Sequence, residues 1–392
     1  MSQFDVVLPR KGTDCIKWDY MDKWLNVDAD NCLPSWVSDS DFVSPDFLIT
    51  ALNKRLEHPN FGYTERSKEY FDATISWFDS HHQVKLNPES FLTTPGTLPA
   101  IAALIEEVTI PNDRVLMFGP AYTCFYRTVE YANRVPYSVP LINTNGYYII
   151  DFEGFERALK SGVSAMIFCN PHNPVGRCWS PEEVSEVVRL CHTYGVYLIS
   201  DEIWADLTFF GHKYTSCLTL KESWLERTAV CLSAAKTFNI PSFRLANTII
   251  PNPKLAAVMR KKLLAYGIDV YSALSLVANT VCYQKGDLWL DEMKNYLEDN
   301  IQFTCNFIES DIPVMSFFRP EASYLAWIDC RGLGLNDEQL KQRFYHGAKV
   351  IPSMGETFGE NGTGFIRLNL SCPKSMIEQK LERIKREFNP NI

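Results

Sequence analysis

Short, uninterrupted apolar runs recur between longer stretches of helical period from about Phe91 to Ile250, and this alternation restricts the fold more than any other feature of the chain. The runs are Val115-Leu116-Met117-Phe118, Ala165-Met166-Ile167-Phe168-Cys169, Val196-Tyr197-Leu198-Ile199-Ser200 and Ala229-Val230-Cys231-Leu232. A half-exposed strand alternates apolar and polar residues, whereas a strand buried on both faces need not. Runs of this kind therefore predict a parallel sheet covered by helices. One covering helix is fully punctuated: Ser180 suits the N-cap, Pro181 the first helical position, Glu183 completes a capping box, and Gly195 lies just past the last turn. It falls between two of the runs, which gives the right-handed strand, helix, strand unit of α/β proteins.

From roughly Trp289 onward the pattern changes to a long helix (Trp289 to Phe307), a strand-like stretch from Ser323 to Asp329, a Gly-punctuated loop and a strand-like stretch from Gly364 to Leu370. This predicts a smaller α+β domain. The expected division is a Pro- and Trp-rich N-terminal segment at 1–45 packing with the small domain, a large domain at 46–285 and the small domain at 286–392. A chain of 392 residues can bury a core large enough to need no metal or disulfide staple.

Composition excludes several partners. The chain has 38 basic and 47 acidic residues, a formal charge of −9, which repels nucleic-acid phosphates and anionic lipid. The densest basic stretches, Arg260-Lys261-Lys262 and Lys380 to Arg386, lie in helical patterns and read as solvated faces. No apolar run approaches the ~18 residues of a spanning helix. Asp5 and Arg10-Lys11 stand where a signal peptide needs an apolar core, so neither nucleic acid nor membrane is an expected partner and the cytosol is the expected compartment. The 12 cysteines contain no C-x-x-C and the 7 histidines no H-E-x-x-H, so reduced, mostly buried thiols and no metal site are expected. G-x-G-x-x-G after a strand, the P-loop and G-x-S-x-G are all missing. Ser233-Ala-Ala-Lys236 matches the S-x-x-K of serine β-lactamases, but its partners S-D-N and K-T-G are absent.

What remains is an ordered set of signatures at strand ends. Asn170-Pro-His-Asn173-Pro-Val-Gly176 follows the Ala165 run, Asp201-Glu202-Ile203 the Val196 run, and Ser233-Ala-Ala-Lys236 the Ala229 run. Singly, each has an ordinary explanation as turn, cap or surface charge. Together they set an amide, a carboxylate, a hydroxyl and an amine on the carboxyl edge of a parallel sheet, where ligands of open α/β folds bind. Pyridoxal phosphate requires such a set. A Lys amine forms an imine with its aldehyde, and a carboxylate beside the ring nitrogen keeps the ring an electron sink. Lys236 and Asp201 suit these roles, and the Asn173 amide can donate to the ring phenolate. Ser233 can serve the phosphate together with the backbone amides of Gly96, Thr97 and Leu98, where Pro95-Gly96 opens a helix-like stretch from Leu98 to Val108.

With these residues the chain resembles the fold-type I pyridoxal phosphate enzymes, class I/II aminotransferase-like, and within them the MalY/PatB group of carbon–sulfur β-lyases. The likeness runs from about Arg10 to the C-terminus. It is carried by Arg10 to Asp19, Leu33-Pro-Ser-Trp-Val-Ser-Asp-Ser-Asp-Phe42, Phe61-Gly-Tyr63 and Pro120-Ala-Tyr122, then by Lys236-Thr-Phe-Asn-Ile240, Tyr324-Leu-Ala-Trp327 and Gly364-Phe-Ile-Arg367-Leu-Asn369. It implies a large domain with a mostly parallel seven-stranded sheet, plus the smaller α+β domain. It also implies that Tyr122 stacks on the cofactor ring and that Tyr63 reaches the phosphate of a neighbouring subunit in a homodimer with shared active sites. Arg367 would clamp the α-carboxylate of an amino-acid substrate.

Four positions depart from the family. Trp204 stands where the lyases mostly carry His and aminotransferases often Tyr, beside the expected phenolate and substrate. Arg244, eighth after Lys236, occupies the place of an aminotransferase phosphate-binding Arg. Ser242 replaces a common Gly, and Ser35 and Ser40 replace Met in a segment expected to line the substrate pocket. The expected reaction is α,β-elimination on a sulfur amino acid such as cystathionine or cysteine, with Lys236 taking the Cα proton and a thiolate leaving Cβ. The alternative is transamination, toward which Arg244 leans. A binding protein on the same scaffold is disfavoured by the presence of every catalytic position.

Overall fold

The computed structural model describes residues 2–268 and 270–389, so positions 1, 269 and 390–392 of the expected domains lie outside the described residues. Among the described residues seven strands form one sheet. Their order is Phe91–Thr94, Ala246–Ile249, Thr228–Leu232, Tyr197–Asp201, Ala165–Cys169, Arg114–Gly119, Val135–Pro140. Pairing is parallel from the Thr228 strand to the Val135 strand, and Ala246–Ile249 runs against both of its neighbours. The apolar runs are strands of this sheet, and they are buried on both faces because successive side chains point to opposite sides. Met166 and Phe168 join Val184 and Val188 in one core cluster, while Ile167 and Cys169 join Ile101 and Leu104 in the other. Each such side chain contributes about 1.5–3 kcal/mol by leaving water.

The helix Pro181–Thr193 begins as its sequence dictates. Ser180 Oγ accepts from Glu183 N at 3.1 Å, and Ser180 N donates to Glu183 Oε2 at 2.8 Å, satisfying two otherwise orphaned donors. Besides Phe91–Thr94, two further strands lie outside the four apolar runs. Val135–Pro140 is a half-exposed edge strand carrying Pro136 and Pro140, and an edge tolerates the missing N–H groups. Ala246–Ile249 hides a polar pair inside the sheet, where Asn247 Oδ1 accepts from Tyr70 Oη (2.6 Å) and Thr93 Oγ1 (2.8 Å).

Beyond the helix Asp287–Asp311, which outruns the predicted Trp289–Phe307 at both ends, Ser316–Phe317, Leu325–Asp329, Phe365–Asn369 and Ser353–Met354 form an antiparallel sheet in that order. Leu33–Pro34 pairs in parallel with Val350–Ile351, so the N-terminal segment is tied to the C-terminal part of the chain. Among the described residues no helix is long and apolar enough to cross a membrane.

The two sheets meet at the turn after the Ala165 strand. Glu321 accepts from Arg177 Nε (2.8 Å) and from Cys178 N (2.9 Å), while Glu321 N and Ala322 N donate to the Gly176 carbonyl. Gly176 has φ +73°, and a Cβ there would lie 2.5 Å from Pro320 Cβ. Gly211 has φ +80° but open space around it. Both Gly→Ala changes therefore carry left-handed strain of about 1 kcal/mol, and only Gly176→Ala adds a clash. Thermal unfolding should show a clearly larger loss of Tm for Gly176→Ala than for Gly211→Ala.

Candidate active site

Hydrogen-bond register sets the site. Cys169 pairs with Asp201 and Asp201 with Cys231, so three parallel strands end level and the residues that follow them share one rim. The chain leaves the Arg114–Gly119 strand for the edge strand and returns on its other side as the Ala165–Cys169 strand. That reversal opens a crevice at the carboxyl edge. A cavity of about 230 Å³ lies there. Gly96, Thr97, Leu98, Tyr122, Asn173, Asp201, Trp204, Ser233, Lys236 and Arg244 line it, whereas Arg367 and Tyr63 do not.

Asp201 ends its strand, buried. Burial raises its carboxyl to about 7, against an N–H from Ile203 and a 3.5 Å contact with the Thr97 hydroxyl. Its Oδ1 has no partner. The adjacent Glu202 is anchored elsewhere, accepting from Ser200 Oγ (2.8 Å), Ser216 Oγ (2.7 Å), Cys217 N (3.1 Å) and the Tyr214 hydroxyl. Of the two neighbouring carboxylates, Glu202 holds the turn and Asp201 faces the cavity.

Lys236 follows the Thr228–Leu232 strand. Its Nζ donates to the Ser38 carbonyl at 2.7 Å and lies 5.6 Å from the centre of the Trp204 ring. Burial lowers the amine to about 8, with Asp39 and Asp201 opposing and Arg367 adding to the fall. Trp204 also packs edge-on against Tyr324, with ring centres 4.9 Å apart. The turn bearing the lysine is pinned by its neighbour: Thr237 Oγ1 donates to Asp206 at 2.6 Å, and Asp206 also binds Trp77 Nε1 (2.9 Å) and His82 Nε2 (2.7 Å).

Asn173 accepts from Arg367 Nη1 at 3.0 Å through Oδ1. Because a guanidinium has donors only, this contact fixes the amide with its NH₂ free to donate to a ligand. Arg367 is itself buried among neutral acceptors, Trp36 O and Ser353 Oγ, each at 3.1 Å, and its Nε has no partner. Burial lowers it to about 10.

The helix Thr97–Val108 opens on the cavity with Gly96 at φ +110° and no side-chain cap. Its first N–H groups remain available to an anion. Ser233 sits beside them, but its hydroxyl donates to the Leu245 carbonyl at 2.7 Å and accepts from Ala235 N. Arg244, at φ +47°, lines the same wall with one Nη2 contact to Pro95 O at 3.5 Å. Tyr122, at the N-cap position of the helix Thr123–Tyr131, also lines the cavity.

The segment expected to line the pocket does so through Ser38, and one residue lies apart. Ser35 and Ser40 do not line the cavity: they are buried against the carbonyls of Asn369 (3.0 Å) and Ser371 (3.4 Å), and Ser38 lines it instead. Tyr63 is 96% exposed and does not meet the other site residues within this chain. Sequence reasoning missed the Ser38 carbonyl, Tyr324 and the Asp206 anchor. A backbone acceptor has no residue signature, and the Asp206 contacts join residues far apart in sequence.

These features suit pyridoxal phosphate. The unpartnered Asp201 oxygen matches a protonated ring nitrogen, the Asn173 NH₂ a phenolate, the uncapped helix a phosphate, and the partly neutral Lys236 an aldehyde. Thr237→Val, which removes one of the three bonds to Asp206, is expected to lower stability by about 1–2 kcal/mol. It should also speed cofactor loss from the native protein, measured by dialysis and absorbance.

The model of the family "aminotransferase class I and II" matches residues 38–384. The chain is 37% identical to cystathionine beta-lyase PatB of Bacillus subtilis, over 97% of this chain and 98% of that protein. It is 32% identical to Protein MalY of Escherichia coli, over 97% of each. Among solved structures it is similar to a PLP-bound putative aminotransferase from Clostridium difficile, at 35% identity and a TM-score of 0.96 over 98% of this chain and 99% of that one.

Proposed function

The chain belongs to the aminotransferase class I and II family, and we propose that it is a pyridoxal phosphate-dependent carbon–sulfur β-lyase. With one water consumed, it converts a sulfur-containing L-amino acid, of the cystathionine or cysteine type, to a thiol, pyruvate and ammonia. The observation that carries the reaction type is the full-length likeness to a cystathionine β-lyase. The observation that carries an amino-acid substrate is Arg367, a buried cation whose partners are all neutral. Such a group is stabilised when a carboxylate arrives, and its fork meets a carboxylate with two parallel hydrogen bonds.

The cofactor supplies an electron sink that acidifies the substrate Cα–H and lets a Cβ substituent leave. Lys236 would carry it, Asp201 would face its ring nitrogen, Asn173 its phenolate and Tyr122 its ring. The amides at Gly96, Thr97 and Leu98, with Ser233 and Arg244, would receive its phosphate. Freed by the incoming amine, Lys236 Nζ takes the Cα proton. Its depressed basicity, to about 8, leaves a useful neutral fraction near neutral pH. Trp204 beneath Nζ contributes a flat apolar wall that excludes water from that proton.

We also propose a homodimer in which Tyr63 reaches the partner's phosphate site. The 96% exposure of Tyr63 and the exposed Phe61 and Val270 support it. Twelve free thiols, nine of them buried, support a reducing cytosolic compartment.

Transamination is the second reading, favoured by the structural likeness to a putative aminotransferase. Cystathionine should release pyruvate, whereas alanine with a 2-oxo acid should yield little new amino acid; amino exchange without pyruvate would reverse the assignment. Lys236→Ala should lose both the visible absorbance and the borohydride-trapped adduct. Arg367→Lys keeps the charge but not the fork, and should raise KM for the amino acid by about 10- to 100-fold while the absorbance persists.

A further inference from the structure

The backbone at 37–41 is held by side chains from three directions. Asn369 Nδ2 donates to the carbonyls of Val37 (2.7 Å) and Asp39 (2.6 Å), and Asn239 Nδ2 and Arg10 Nη1 donate to Ser40 O (3.0 and 2.9 Å). Lys17 Nζ reaches Asp39 O at 3.1 Å. The carboxylates of the loop are then clamped from the N-terminal segment. Arg10 pairs with Asp39 (2.6 Å) and Asp41 (2.5 Å), Lys17 with Asp41 (2.5 Å) and, at 3.5 Å, with Asp39, and Trp18 Nε1 donates to Asp41 at 3.0 Å. Lys17 is buried, and its amine stays charged because the two aspartates outweigh burial; Asp41 is held down to about 2 against burial by Lys17, Lys380 and Arg10. Within this frame the Ser38 carbonyl receives donors from the cavity side: Lys236 Nζ at 2.7 Å and Tyr324 Oη at 3.0 Å.

We propose that the Arg10–Lys17–Asp39–Asp41 cluster is a positioning device for the Lys236 amine. It fixes the Ser38 carbonyl as the dock for that amine whenever it is not covalently engaged, and it sets Asp39 as the counter-charge that governs when the amine yields its proton. This deepens the reading above, on which it rests, by assigning the N-terminal segment to the active site. Asp39 acts through Lys236 and is a positioning residue. The groups that bear on Nζ are Asp39 from the loop, Asp201 from the sheet edge, Arg367 from the second sheet and the Cys124 thiol from the helix after Tyr122. Asp39 directly follows Ser38, whose carbonyl accepts from Nζ at 2.7 Å, and it opposes loss of the proton together with Asp201. Arg10 pairs with Asp39 at 2.6 Å, so loss of each should act in opposite directions: removing Asp39 disfavours the ammonium, while removing Arg10 unmasks Asp39 and favours it.

The test follows the full-length protein after hydroxylamine has removed its cofactor. Trace acetic anhydride labels neutral amines, and quantifying acetyl-Lys236 by mass spectrometry against pH gives the midpoint for that amine. Asp39→Asn should lower this midpoint, because an anion beside the amine favours its charged form. Arg10→Gln, at a partly exposed position, should raise it. Asp30→Asn, in the exposed pair with Lys11, should leave it in place. A general loosening of the loop would move Asp39→Asn and Arg10→Gln the same way, and that result, or an unmoved midpoint in a folded Asp39→Asn protein, overturns the proposal. Should Asp39→Asn not fold, the direction of the Arg10→Gln shift decides alone. Pyridoxal phosphate is then added back to the wild-type chain. Absence of a visible band would reject the cofactor reading, whereas a band with unmoved midpoints would reject the positioning role alone.

Discussion

Level strand ends are the constraint from which the rest of the site follows. Parallel strands present their following residues at one edge only if their hydrogen-bond ladders stop together, and the Cys169, Asp201 and Cys231 register makes them stop together. Asn173, Asp201, Ser233 and Lys236 come from turns more than sixty residues apart at the extremes, yet they converge because each turn starts from the same height. A slip of one residue in any of these ladders would turn Asp201 to the opposite face and put Glu202 in its place.

The converged groups are left electrostatically incomplete. Asp201 lacks a partner at Oδ1, Arg367 has neutral partners, and Lys236 rests on a carbonyl. Buried charges without ion pairs are costly, and the shifts in all three follow from burial first. Elsewhere in the same molecule buried charges are fully matched, as in Arg177 with Glu321 and Glu183, or Lys17 with Asp41. The contrast separates the rim, where buried groups lack charged partners, from the matched pairs that hold the fold.

Rigid surroundings keep that incomplete rim open. The turn bearing Lys236 is anchored through Thr237 to Asp206, the loop bearing Asn173 through Glu321 to the second sheet, and the wall formed by Ser38 through Asn369 and Asn239. None of these anchors touches the cavity chemistry directly. Each holds a backbone whose neighbour does, which is why pre-organisation here is distributed over both sheets and the N-terminal segment.

The sequence by itself determined the local order. Apolar runs that need no alternation specified buried parallel strands, Ser180-Pro181 and Glu183 specified a helix start, and the three strand-end signatures specified which chemistry would gather at one edge. Their meaning is local or periodic, so it survives without coordinates. Tertiary structure alone decided that Ser38 and not Ser35 or Ser40 lines the cavity, that Glu202 anchors the turn behind it, and that Arg10 and Lys17 hold the backbone of that wall. It also decided the edge strand at Val135 and the polar interior of Ala246–Ile249, whose partners Tyr70 and Thr93 are remote in sequence. These choices depend on backbone carbonyls and on long-range pairs. A carbonyl is the same in every residue, and a contact between distant positions leaves no periodic trace along the chain.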